Sequence, residues 1–435
     1  MAKPNPNPDP SSDRPNVLLI QPDQMGATWM GVYGHPEVQT PRLDAFARQA
    51  ATFERAYTVS PLCTPARGSL WTGQYPGETG VRRNHDALRG DARTVAHAFN
   101  HAGYDTMYLG KWHLSGGGNR GVKPEDRGGF ARFYGWEAFH VDHWDGQIWG
   151  DDLDTAHTLP GHETDGLTDV ALDWLDETRR DRPFFMTINY QAPHAPCSPP
   201  DQYADLYRGR ELQVRPNVDP RATMRPQYGG ETRPEWNTDW RGFVEGYYGE
   251  ITHLDTAFGR LLDTLDRLGL ADRTIVAFTS DHGENAGAFG RFEKHTMNEE
   301  SIRIPMLIHD PRCHADRGGF RRSDLFSNVD LTPTLLDLCG LPALTTASGV
   351  SHAAAVCNGP EVARQHGVSL LAAVCIYDGR MKLETDRTGQ TPVRLIDLDT
   401  DPYEMNCRLD DPAYEGIAHQ LHERLTAWRD AHDPD

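Results

Sequence analysis

Cysteine is scarce and scattered in this 435-residue chain, with seven in all. Their number is odd, their spacing is wide and no C-x-x-C occurs, which argues against a disulfide framework or a zinc ribbon. Lysine is scarcer still: five residues against 38 arginines, in a chain whose formal net charge is −20. That excess of acid argues against nucleic acid or an anionic membrane as the main partner, although a local cluster of cations can still dominate inside a pocket. No stretch approaches the ~18 apolar residues that cross a bilayer. The longest, Leu370 to Tyr377, has the length of one buried strand. The first 14 residues are rich in Pro, Asn, Asp and Ser and lack the apolar core of a secretory signal. They read as a flexible tail, and the expectation is a cytoplasmic protein, with oligomeric state left open.

What is present suffices for a large core, since 38% of the residues are hydrophobic. The length allows one big domain and a smaller one. Short apolar runs alternate with helical patterns. "PNVLLIQPDQ" reads as a strand stopped by a carboxylate, and "TPRLDAFARQAATF" as a helix with Thr40 as cap and Pro41 at its first position. Helix-then-strand recurs through "ARTVAHAFNHAGYDTMYLG", "GLTDVALDWLDETRRDRPFFMTINY" and "GEITHLDTAFGRLLDTLDRLGLADRTIVAFTS", and "ESIRIPMLIHDP" adds a strand. This order predicts an α/β domain over 15–345, a large, mostly parallel mixed sheet sandwiched by helices. Loops rich in Gly, Pro, Trp and Arg interrupt it at about 115–165 and 195–243. Over 346–435 the pattern changes to a small antiparallel sheet with one helix.

In open α/β sheets, ligands sit beyond the carboxyl ends of the strands. Four of these strands end in polar groups: Asp23-Gln24, Lys111 with His113, His194, and Asp281-His282. Singly, each reads as a cap, a turn or a solvated side chain. Together they make one rim. Asp23, Asp281 and His282 are hard oxygens plus an imidazole, suited to Ca²⁺, Mg²⁺ or Mn²⁺, and Gln24 adds a neutral oxygen. Cys63 lies in "SPLCTPARGSLWTGQYP". Pro65 favours a first helical turn, so the cysteine falls just before a helix N-terminus, where backbone amides attract anions, with Arg67 one turn on. A packed thiol, a metal ligand and a residue used for chemistry all remain open for Cys63 on this pattern alone.

These residues resemble the formylglycine-dependent sulfatases of the alkaline phosphatase superfamily. "CTPARGSLWTG" is similar to the family's C-x-P-x-R signature with its trailing Ser-x-x-x-Thr-Gly, and "GYDTMYLGKWHL" to its G-K-W-H-L element. "APHAP", "FTSDHGE", "LFSNVDLTPTLLDLCGL" and "LIDLDTDPYEMNC" resemble later elements in the same order. The resemblance implies that a maturation enzyme converts Cys63 to formylglycine. An oxygen of its hydrate attacks sulfur, and the second hydroxyl then allows sulfate to be eliminated. It implies one divalent metal, Ca²⁺ before Mn²⁺ or Mg²⁺, on Asp23, Asp281, His282 and residue 63, with Gln24 marking an Asp-Gln…Asp-His subset. It casts Arg67 and Lys111 as cations holding residue 63 and the transferring group, and His113 as the base that releases the product. His194 and Lys294 would bind sulfate and protonate the leaving oxygen, with Asn84 near the nucleophile. The implied substrate is a small aryl, alkyl or carbohydrate sulfate.

Rival readings are a phosphonate monoester or phosphodiester hydrolase of the same superfamily and an inactive metal-binding protein. A phosphomutase would need a Ser or Thr nucleophile. In the rival hydrolases the Lys and His of the K-W-H element are often replaced by neutral hydroxyl residues, whereas Lys111 and His113 are both present here. Trp144, Trp149, Trp236 and Trp240 are candidates to stack on a ring of the substrate, or simply to pack the loops.

Overall fold

The computed structural model describes residues 14–138, 143–177, 182–224, 227–228, 231–232, 238–314, 318–362 and 364–433. Eight strands form the main sheet: β1 (Asn16–Ile20), β2 (Ala51–Tyr57), β3 (Asp105–Lys111), β4 (Arg132–Trp136), β5 (Phe184–Asn189), β6 (Thr274–Thr279), β7 (Met306–His309) and β8 (Phe320–Ser327). Their order across the sheet is β8-β2-β7-β6-β1-β5-β3-β4. Every pairing is parallel except those of β7, which runs against both β6 and β2. The run "MLIH" is buried along most of its length, and a strand covered on both faces carries no alternation from which its direction can be read.

Side chains alternate across the sheet and divide the interior into two layers. Leu18, Ile20, Met186, Ile188, Val276 and Phe278 face a core shared with helices α1 (Pro41–Ala47), α4 (Glu163–Glu177) and α5 (Trp240–Arg267). Val17, Leu19, Phe185, Ile275 and Ala277 face the opposite core, with α2 (Cys63–Thr72), α3 (Val95–His101) and α6 (Leu331–Leu338). Sequence signals place the helix ends. Pro41 takes the first position of α1 after Thr40. The Asp239 side chain accepts the Gly242 amide and starts α5. Gly73, at φ 70°, closes α2 in the left-handed conformation that favours glycine.

The predicted strand at Leu370–Tyr377 is instead a hairpin. Its apolar run crosses a tight turn between β9 (Gly367–Leu370) and β10 (Val374–Tyr377), with Leu370 paired to Val374. β11 (Met381–Thr385) and β12 (Pro392–Asp397) complete a four-stranded antiparallel sheet. Leu421, Leu425 and Trp428 of α7 (Glu415–His432) cover it. Cys313 and Cys357 form a disulfide, a single bridge rather than the framework that the cysteine spacing argued against, while Cys63 is free. Among the described residues no helix is long and apolar enough to cross a membrane. All but the last residue of the expected N-terminal tail lies outside the described residues.

The small sheet docks on the segment that leads to Cys63. The Leu370 amide donates to Val59 O at 2.8 Å, Ser369 donates its hydroxyl to Thr58 O, and the Tyr57 and Tyr377 rings lie 4.3 Å apart. Lys382 on β11 is buried between Glu299, at 2.9 Å, and Glu404, at 2.5 Å. Removing one partner of a buried ionic group strands the others without solvent, at a cost of about 3–5 kcal/mol. Lys382→Ala is therefore expected to lower the free energy of unfolding by about 3–5 kcal/mol in urea titration, whereas a loss no larger than that of an exposed ion pair would show that the clasp contributes little.

Candidate active site

The four strands that end in polar groups, β6, β1, β5 and β3, are neighbours at the centre of the sheet. The backbone at the ends of β1 and β6 sets the groups they carry. Asp23 donates its amide to Tyr190 O at 3.0 Å, prolonging the pairing of β1 with β5. Gln24 then turns at φ 68°. The Gln24 and His282 amides both donate to Asp281 Oδ1, at 3.0 and 2.9 Å, which fixes one carboxylate between two chain segments. Gly283 permits this approach, because a Cβ there would lie 2.0 Å from Glu300 O.

Cys63 is the first residue of α2 rather than the residue before it, with Leu62 extended at the cap. Cys63 Sγ lies 3.2 Å from His282 Nε2, 3.7 Å from Asp23 Oδ1 and 3.8 Å from Lys111 Nζ. Asn84 Oδ1 accepts the Thr64 amide at 3.2 Å and so supplies, from a separate loop, the bond a cap side chain would make. One turn on, Arg67 is wholly buried. Its Nε donates to Asp281 Oδ2 at 3.0 Å, Nη2 to Asp23 Oδ2 at 3.3 Å and Nη1 to Lys111 O at 2.9 Å. Lys111 donates to Asp23 Oδ2 as well. Burial alone would raise the Asp23 carboxyl, but the cations beside it, Lys111 foremost and Arg67, outweigh burial and hold the group well below its ordinary range.

A second arc faces the first. Lys294 Nζ donates to Gln24 Oε1 and, at 2.7 Å, meets His194 Nε2. His194 Nδ1 lies 2.7 Å from Ala195 O, so its proton sits on Nδ1 and Nε2 accepts from the ammonium. Burial, then Lys294, keeps this ring neutral, well below the usual imidazole value. Gln24 therefore presents its oxygen to Lys294 and its amide nitrogen to Glu284. His113 is buried at φ 59°, and among the described residues neither of its ring nitrogens has a hydrogen-bond partner. Burial, then Lys111 and Arg67, leaves it neutral and able to take a proton.

Ligand atoms of Asp23, Cys63, Asp281 and His282 all lie within 4.8 Å of one another, and all four residues are buried. The Nδ1 of His282 faces Gly283 O at 3.1 Å, which leaves Nε2 as a lone pair turned to the cluster, the tautomer a metal ligand needs. Two acceptor-only carboxylates and this nitrogen fit a divalent cation of the oxygen-preferring class. Every residue singled out from the sequence for this rim thus comes together. The tryptophans do not. Trp240 is buried and donates to Ala286 O at 3.0 Å, Trp149 is half-buried, and Trp236 lies outside the described residues. Only Trp144 is well exposed.

Sequence reasoning missed Glu137. It follows β4, an edge strand inside what reads as a long loop, and the same strand-end rule would have flagged it had β4 been recognised. The buried Glu137 carboxylate accepts the Ser115 amide at 2.9 Å, the Ser115 hydroxyl at 2.7 Å and the Gly117 amide at 2.8 Å. Glu137 O also accepts the His113 amide. One residue thus holds the segment that carries His113.

Comparison with known proteins finds similar chains and folds. A sulfatase family model matches residues 15–341, and a model described as N-sulphoglucosamine sulphohydrolase, C-terminal, matches residues 287–431. An ulvan-active sulfatase of Formosa agariphila is 32% identical over 430 residues, covering 95% of this chain and 80% of that protein. A solved Bacteroides thetaiotaomicron protein, from a locus for metabolism of multiple glycosaminoglycans, superposes with a TM-score of 0.85 at 26% identity over 97% of each chain. The phosphonate monoester hydrolase of Agrobacterium radiobacter shares the fold, with a TM-score of 0.79 at 24% identity over 96% of each chain.

The support beneath His113 can be tested directly. Glu137→Ala is expected to leave the fold intact, to speed amide exchange across residues 113–117, and to lower kcat about 10²-fold, the cost of a small misplacement of a reacting group. Unchanged kcat with faster exchange would separate this loop from turnover.

Proposed function

The chain belongs to the sulfatase family and hydrolyses sulfate esters, and on that premise we propose that residue 63, matured from cysteine to formylglycine by a maturation enzyme, is its nucleophile. The observation that carries this reading is the setting of Cys63: a buried, unbridged residue at the start of a helix, facing His282, Asp23 and Lys111 at 3.2–3.8 Å. Formylglycine would supply an oxygen nucleophile in place of sulfur, and a divalent cation would lower its pKa and polarise a sulfate oxygen. Asp23, Asp281, His282 and residue 63 would hold that cation, with Gln24 at its edge. Ca²⁺ suits the oxygen-rich set best, and the imidazole also suits Mn²⁺ or Mg²⁺.

The remaining roles follow from charge and proton inventory. Arg67 is fixed by two carboxylates and a carbonyl, so it orients and neutralises rather than exchanging protons. Lys111 lies between Asp23 and residue 63, placed to hold both nucleophile and sulfate. Lys294 Nζ donates to His194 Nε2, and this pair binds sulfate and delivers a proton to the leaving oxygen. His113, neutral and without a hydrogen-bond partner on either ring nitrogen among the described residues, accepts the proton whose loss releases the product. Asn84 keeps the helix start in place. With three cations around two aspartates, the pocket favours an anionic ester even in a strongly acidic chain. The presence of both Lys111 and His113 favours sulfate over the phosphonate and phosphodiester chemistry of fold relatives. Trp144 is the exposed ring best placed to meet an aryl or sugar face.

Mass spectrometry of the peptide containing residue 63, from protein co-expressed with a maturation enzyme, should show the aldehyde or its hydrate, and Cys63→Ala should abolish sulfate release without loss of fold. Fully active enzyme carrying only the unmodified thiol would refute the proposal.

A further inference from the structure

His143 belongs to none of the motifs above, yet it is wholly buried and touches the back of His194. Its Nε2 lies 2.7 Å from His194 O and its Nδ1 lies 2.9 Å from Glu163 Oε1. A carbonyl and a carboxylate only accept, so both ring nitrogens must donate and the ring must be an imidazolium. Burial opposes that charge, but Glu163, with Glu250 and the His194 carbonyl, outweighs it and raises His143 to about 9. Glu163 is the first residue of α4, where the helix dipole favours its negative charge. The same arithmetic argues against a metal at the neighbouring cluster of His143, His162 and Glu250. His143 has no lone pair to offer, and His162 Nδ1 already accepts the Thr164 amide at 3.3 Å, which puts its proton on Nε2 towards Glu250, 3.4 Å away.

We infer that the Glu163–His143 pair is a positioning device for the proton donor of the reaction: it grips the His194 carbonyl from behind and so sets the His194 ring against Lys294. His143 is a positioning residue, acting through another. The chain of contacts is continuous, from Glu163 Oε1 to the His143 ring, to His194 O, and from the His194 ring to Lys294 Nζ. Its neighbour Trp144 reaches the surface and donates to Ser198 O at 2.9 Å, and the Ser198 amide donates to Glu250 Oε1 at 3.0 Å. The segment bearing the exposed ring and the segment bearing His194 are therefore bound together at two points. This inference rests on the proposed role of Lys294 and His194 in protonating the leaving oxygen.

A proton donor matters most when the leaving group is a poor one, because a stable aryloxide departs without help. In mature enzyme, His143→Gln should lower kcat/KM for an alkyl sulfate at least tenfold more than for 4-nitrophenyl sulfate. Glu163→Gln should shift the ratio in the same direction by less. Melting curves report whether each variant is folded, and Glu163→Gln, the milder change, carries the test if His143→Gln does not fold. Equal losses on both substrates, or no loss in a folded variant, would overturn the inference. Lys294→Ala, measured alongside, separates the two levels. If it shows the leaving-group bias and the His143 and Glu163 variants do not, only the positioning role fails. If Lys294→Ala shows no bias, the reading of the donor pair fails and takes the inference with it.

Discussion

Two carboxylates shut away from water set the terms for this site. Asp23 and Asp281 sit beyond the ends of adjacent parallel strands and are fully buried. Charged groups so placed survive only with paired charge and complete hydrogen bonding. Arg67 answers both at once, Lys111 answers Asp23, and two backbone amides answer Asp281. Asp23, Asp281, His282 and residue 63 bring ligand atoms within 4.8 Å of one another, a donor set suited to a divalent cation. Placement of Cys63 follows from the same constraint, because Arg67 stands one turn on along the same helix. Holding the guanidinium against the aspartates fixes where the helix begins.

Around that centre, each of the groups proposed to react is backed by a buried polar support on a different element. Glu137 holds the His113 segment, Asn84 the start of α2, and Glu163 with His143 the His194 segment. The small C-terminal sheet performs the same service for residues 57–59 through Ser369, Leu370 and the Lys382 clasp. Placing these supports on separate elements uses a large core to keep a small pocket rigid, which suits a reaction that depends on preorganised charge.

Much of this was legible before the structure. Fully buried parallel strands read as short apolar runs stopped by a polar residue, and that pattern located Asp23, Lys111, His194 and Asp281 on one rim. Four strands then proved to be neighbours. Features with no local signature were not legible. A buried run such as "MLIH" does not declare its direction, so the expected mixed sheet did not say that β7 would be its antiparallel strand. The apolar stretch ending at Tyr377 hid a turn, because Leu371–Ala373 contains no glycine, proline or asparagine to mark it. β4 mixes exposed and buried residues and contains Gly135, and with it went Glu137. His143 could not be found from sequence at all: its meaning lies in a bond to a backbone carbonyl 51 residues away. Trp240 has the composition of a binding residue and the position of a core one.

The central claim is that this cation-lined pocket, with Lys111 and His113 both in place, is built for a sulfate monoester. The most direct measurement is kcat/KM for an aryl sulfate against the matched phosphate monoester, phosphodiester and phosphonate monoester, using mature, metal-loaded enzyme and several leaving groups. The account predicts that the sulfate is turned over with the highest kcat/KM throughout the series. A consistently higher kcat/KM for the phosphodiester or the phosphonate would contradict it and assign the same residues to the other substrate class.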